Sequence, residues 1–262
     1  MSINSRFLGT LGLKAVVGAE IEFYLADCGQ RFTDFISKYF AGCSRDLPSI
    51  APEKGKDQFE VQIRHGADPE KVAHDLVLFR EAVDEYSNIF TVESSFAAKP
   101  FTDQPGSALH INLSILDANQ NNVFAKRDGL ESPILLNAIG GLCLFMTSSM
   151  IYFAPNPDSY RRYLYPDIDT PTTVSWGGNN RTTAVRVPTS CPISRRIEHR
   201  VAGADSDPYL VIKTILQAAE YGIENKIAPP AKIYGIAGNE QYSLPKLPMS
   251  LEEARRCHVA IF

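Results

Sequence analysis

Carboxylates recurring two residues apart are the first chemical signal in this chain. In Gly18-Ala19-Glu20-Ile21-Glu22-Phe23, Glu20 and Glu22 share a face if the segment is a strand, and Glu60 pairs with Gln62 in the same way. Arg196, Glu198 and Arg200 repeat the spacing, and Gly106-Ser107-Ala108-Leu109-His110 brings an imidazole into another alternating segment. Carboxylates aligned on one side repel one another and need cations, which marks a site rather than a core face. Carboxylate oxygens with a single imidazole suit magnesium or manganese better than zinc. Arg162, Arg181, Arg186, Arg196 and Arg200 lie in or beside the same segments. Their planar guanidinium forks match carboxylate and phosphoryl oxygens. Metal-binding carboxylates beside several arginines suit phosphoryl transfer from a polyphosphate to a carboxylate.

Elements must hold these groups. Residues 14–26 read as a strand, and Phe32, Phe35, Ile36, Tyr39 and Phe40 fall at helical spacing. Residues 57–64 alternate, with Phe59, Val61 and Ile63 opposite Gln58, Glu60 and Gln62. Asp68 before Pro69 marks a helix start, and Val72, Leu76, Phe79 and Val83 supply its apolar stripe. Residues 108–115 form a second alternating strand that puts His110, Asn112 and Ser114 on one side. Three further strands are expected at 172–176, 182–187 and 195–201, then a helix from Asp207-Pro208 to about Lys226. Ser250 and Glu253 are spaced as a capping box for a last helix. The order predicts an α+β fold: one domain over 1–262, with a curved, mostly antiparallel sheet and helices on one face.

Composition narrows the function classes. The chain has 262 residues, a formal charge of −4 and no basic footprint, so nucleic acid and anionic membranes have no compositional support. Five widely spaced cysteines without a C-x-x-C pair predict reduced thiols and a cytoplasmic setting, and the first residues do not read as a signal peptide. Residues 133–155 are apolar enough in length to span a bilayer, but Asn137, Gly140, Gly141, Thr147, Ser148 and Ser149 favour a buried helix.

Six segments in series resemble the catalytic domain of the glutamine synthetase family: residues 18–23, 53–60, 106–110, 159–162, 180–186 and 195–200. The wording of 174–177 and 198–205 is similar to the branch that joins glutamate to polyamines. The resemblance implies that Glu22, Glu53 and Glu60 hold the metal nearest glutamate, and that Glu20, His110 and Glu198 hold the metal nearest the nucleotide phosphates. Two or more magnesium or manganese ions and ATP are the implied cofactors. Arg162, Arg200 and the Gly106 backbone would bind glutamate, and Arg181, Arg186, Ser114 and Arg196 would bind ATP and its phosphates. Asp169, near the position of the family's loop glutamate, would act in catalysis with Arg162 and Arg181.

The implied partners are glutamate, ATP and ammonia or an amine. Only seventeen residues precede Gly18, so the family's N-terminal β-grasp domain is expected to be absent, and the C-terminal helices are expected to be truncated. A homo-oligomer is a possible assembly, and a separately encoded β-grasp partner would supply the missing part of the site. The alternative expectation is a non-catalytic remnant, or a nucleotide- and metal-binding subunit of a split enzyme.

Overall fold

A computed structural model describes Ile3 and residues 6–26, 28–126 and 128–259; of Arg6 and Phe7 it describes the backbone. Its centre is strand β1 (Lys14–Leu25), flanked by β3 (Gln58–Gly66) and β5 (Leu109–Leu116). With β2 (Ser49–Pro52), β6 (Trp176–Gly177), β7 (Val185–Arg186) and β8 (Ile197–His199), the sheet order is β2-β3-β1-β5-β8-β7-β6. The short β4 (Ser94–Ser95) pairs with the end of β1. Every pairing is antiparallel except that of β6 with β7, in line with the α+β expectation.

Alternation decides which way the sheet faces. Val17, Ala19, Ile21, Phe23 and Leu25 of β1 and Leu109, Ile111, Leu113 and Ile115 of β5 are buried in the core. Against them lie α1 (Arg6–Thr10), α2 (Gln30–Gly42) and α3 (Pro69–Phe90). The Asp68 carboxylate caps α3 by accepting from Lys71 N, and Pro69 occupies its first turn. Helix α4 (Pro133–Phe145) packs on α7 (Pro208–Glu224) with almost no space between the backbones. A Cβ on Gly141 would lie 2.0 Å from the Ala218 carbonyl oxygen, and one on Gly222 would lie 2.2 Å from that of Asn137. Only glycine permits this approach.

Two expectations need correction. The apolar stretch 133–155 is not one helix: it breaks at 146–149 and resumes as α5 (Met150–Phe153). The Ser148 hydroxyl donates to the Phe145 carbonyl at 3.0 Å and satisfies the open helix end. Among the described residues no helix is long and apolar enough to cross a membrane. The strands expected at 172–176, 182–187 and 195–201 shrink to β6, β7 and β8, of two or three residues each. Their side chains compete for the backbone: Ser175 Oγ accepts from Ala184 N, and the Thr183 hydroxyl donates to the carbonyls of Asn180 and Val185. The last helix, α8 (Leu251–Cys257), is capped by Ser250, but Glu253 accepts from Met249 N. Cys43, Cys143, Cys191 and Cys257 are free thiols.

Candidate active site

Sheet register assembles the site from distant parts of the chain. On the face opposite the core, Gln62 pairs with Glu20 and Glu20 with His110, while Glu60 lies opposite Glu22. One step along, Asn112 pairs with Glu198, and Glu198 with Arg186. Apart from Asn112, these side chains floor a cavity of about 280 Å³ that is also lined by Glu53, Lys54, Gln58, Gly106, Arg162, Asp167, Asp169, Arg181, Arg196 and Arg200.

The acidic half offers two overlapping sets of ligand atoms. Glu22, Glu53 and Glu60 form one set, and Glu20, Glu60 and His110 form the other, with the atoms of each set within 4.8 Å of one another. The first matches the grouping that the resemblance implies. The second differs: Glu60 replaces Glu198, whose carboxylate is turned toward Arg186 and Arg200. His110 is buried, yet neither ring nitrogen has a hydrogen-bond partner. Its Nδ1 stands 3.7 Å from both Glu20 Oε2 and Glu198 Oε1, too far for a good hydrogen bond.

Burial and neighbouring charges act differently on the three carboxylates of the strands. Burial, with the neighbouring Glu20 charge, pushes Glu60 up to about 7. Burial also raises Glu22, although His110, Arg162 and the Ala108 N–H bond at 2.8 Å oppose it. Burial acts against Glu20 as well, but His110, the Asn112 amide at 2.9 Å and Arg196 hold it down to about 2. Packed carboxylates beside an unpartnered buried imidazole fit the ligand preferences of a hard divalent cation.

The basic half is organised around Glu198. Burial would raise its carboxyl, but His110, Arg200 and Arg186 outweigh burial and keep it low. Arg186 Nη1 donates to Glu198 Oε2 at 2.6 Å, and Arg200 pairs with Oε1. Arg200 Nε is buried without a partner. Arg162 lines the cavity, but its Nη1 and Nη2 donate to the carbonyls of Val201 and Arg200 at 2.7 and 3.3 Å, so its head is largely committed to backbone. Arg181 is exposed at the cavity wall. Arg196 donates to Asn112 Oδ1 at 3.0 Å and stands where the cavity meets an adjoining cleft of about 680 Å³. Ser114 lines that cleft, not the central cavity.

Supporting residues had less evident sequence signals. Gln58 is buried, donates to the Gly106 carbonyl at 2.9 Å and accepts from Gly55 N at 3.0 Å. The Tyr24 hydroxyl donates to the Pro105 carbonyl at 2.8 Å, so two side chains fix the glycine loop. A Cβ on Gly106 would meet the Ala98 carbonyl at 2.8 Å and Arg162 Cγ at 3.0 Å. Asp167 Oδ1 accepts from Asp169 N at 2.9 Å and from the Thr170 hydroxyl at 3.0 Å. Gln58 lay on the recognised polar face of its strand; for Lys54, Asp167 and Thr170 no spacing pointed to a site.

Sequence comparison places the chain in a known family. The glutamine synthetase catalytic-domain model matches residues 26–258, and the chain belongs to that family. The gamma-glutamylputrescine synthetase PuuA of Escherichia coli K12 is 31% identical over 89% of this chain and 56% of its own length. The glutamate–isopropylamine ligase of a Pseudomonas species is 32% identical over 84% of this chain and 48% of its own. A glutamine synthetase of Pyrococcus abyssi is 28% identical over 94% and 62% respectively. The solved structure of a GmaS–ADP complex superposes with a TM-score of 0.81 at 26% identity, covering 95% of this chain and 64% of that one. The chain thus spans about half to two thirds of the length of these relatives.

Proposed function

We propose that this chain carries the catalytic site of an ATP-dependent ligase that joins the side-chain carboxylate of glutamate to ammonia or an amine. The observation that carries it is the convergence on one cavity of two carboxylate sets sharing Glu60, an unpartnered His110 and an arginine-rich wall. In the first step a γ-carboxylate oxygen attacks the terminal phosphorus of ATP, and the bond to the ADP oxygen breaks. In the second, the nitrogen attacks the acyl carbon, the bond to phosphate breaks, and the nitrogen loses a proton. Divalent cations, when bound, neutralise phosphate charge and hold the two anionic reactants together.

The chain's own residues supply the rest. Arg200, whose Nε lacks a partner, and Arg181 face the volume where negative charge develops. Arg186 and Arg196 line the nucleotide side, with Ser114 in the adjoining cleft. The Gly106 backbone, held by Gln58, forms the glutamate side, and Arg162 fixes the chain beyond β8 behind it. Asp169 stands at the cavity wall as the group to accept the nitrogen's proton. An amine acceptor is favoured by the relatives named for putrescine and isopropylamine.

The test is phosphate release from ATP and glutamate with ammonia, putrescine, isopropylamine or no acceptor, with and without magnesium. Acceptor-dependent, magnesium-dependent release is expected. Nucleotide binding with no release under any condition would replace this reading by that of a binding subunit.

A further inference from the structure

Lys54 projects its ammonium into the cavity and pairs with the Asp169 carboxylate. The two residues are 115 positions apart and belong to different walls: Lys54 follows Glu53 in the β2–β3 turn, and Asp169 sits on the loop preceding β6. The backbone of that loop is fixed independently. Asp169 N donates to Asp167 Oδ1, and the Asp169 carbonyl accepts from Arg200 Nη2 at 3.4 Å. Among the described residues, Lys54 is the hydrogen-bond partner of the Asp169 carboxylate itself.

The Lys54 side chain is 49% exposed and that of Asp169 22%, so the pair is wet. A pair of this kind favours its closed form by no more than about fivefold. It contributes little to folding and is easily displaced. A primary ammonium seated on this carboxylate, beside the acidic wall, makes the same contact that a protonated amine acceptor would make.

We infer that Lys54 is a tethered stand-in for the acceptor's ammonium group, occupying the Asp169 seat until an amine displaces it, and that it thereby sets the protein's affinity for acceptor amines. The inference rests on the ligase reading for the identity of the ligand, but the contact itself is independent of turnover. Lys54 acts on acceptor affinity through Asp169; it is not a catalytic residue.

Binding separates the two readings. Ethylammonium is titrated against the full chain by saturation-transfer NMR, with saturating magnesium to occupy the carboxylate sets and ionic strength held with sodium chloride. Lys54→Met is expected to tighten ethylammonium binding by about fivefold. Lys54→Arg, which keeps the cation, is expected to retain the parent affinity, and adding Asp169→Asn to Lys54→Met is expected to abolish the gain. Unchanged or weaker binding in Lys54→Met, no detectable binding in that variant, or a gain that survives Asp169→Asn would each overturn the inference. A chain that releases no phosphate can still pass this test, and an active chain can fail it.

Discussion

Glu20 and His110 sit directly opposite each other on β1 and β5, with Oε2 and Nδ1 3.7 Å apart. Glu198 Oε1 lies at the same distance from the same nitrogen. The imidazole is therefore surrounded by acceptors and bonded to none of them. A cation accepting the ring lone pair would resolve this conflict, and it makes the first prediction specific.

Magnesium or manganese should raise the thermal midpoint of the protein, since a ligand at a hundredfold its dissociation constant adds about 2.7 kcal/mol. His110→Ala should lower manganese affinity at least tenfold, measured by manganese electron paramagnetic resonance, because the neighbouring carboxylates remain but the imidazole ligand is gone. Unchanged affinity would remove His110 from the cation site.

Glu198 is buried between Arg186 and Arg200, and both guanidiniums use it as counter-ion. Glu198→Ala leaves those charges uncompensated and should reduce stability by about 3–5 kcal/mol in urea unfolding. A loss under 1 kcal/mol, roughly the exposed-pair value, would show that the arginines relax into solvent.

Helices α4 and α7 meet through glycine. Gly141→Ala pushes a methyl group into the Ala218 carbonyl and should destabilise the protein by about 1–3 kcal/mol. Gly129→Ala, on the surface with nothing within 4 Å of the added atom, should differ by carrying only the strain of its positive φ. Equal losses would mean that helix packing is not the determinant.

Glu131 accepts from Arg195 and pairs with Lys126 at 3.3 Å, while Asn122 holds the Arg195 carbonyl at 2.7 Å. Together they anchor the segment that leads into β8. Burial acts to raise the Glu131 carboxyl, but Arg195 and Lys126 bring it below its ordinary value of 4.5. With its folded value below the unfolded one, its stabilisation is present above pH 4.5 and disappears as pH falls through the folded value. Glu131→Gln should therefore cost at most about 1 kcal/mol at pH 7, and the difference from the parent should shrink in acid, measured by urea unfolding across pH.

Period-two spacing made the long strands legible: Glu20 and Glu22 on β1, Glu60 on β3 and His110 on β5 all fall on the polar face. What the spacing could not supply is register. That Glu60 rather than Glu198 completes the histidine set depends on the arginines capturing Glu198, a competition between segments far apart in the chain. The short β6, β7 and β8 were overestimated because serine and threonine hydroxyls replace ladder partners there, and strand propensity does not register that substitution. Lys54 was missed because its partner lies 115 residues away.

The strand order has a kinetic consequence. Glu20 and Glu198 approach His110 from opposite sides only because β5 lies between β1 and β8. Neither the β1–β5 pair nor the β5–β8 pair alone holds both carboxylates, so refolding must close two loops of some eighty to ninety residues before the imidazole is flanked. Cation capture should therefore lag behind helix formation when the denatured chain is diluted into buffer, and manganese can serve as a stopwatch for the final strand-docking event.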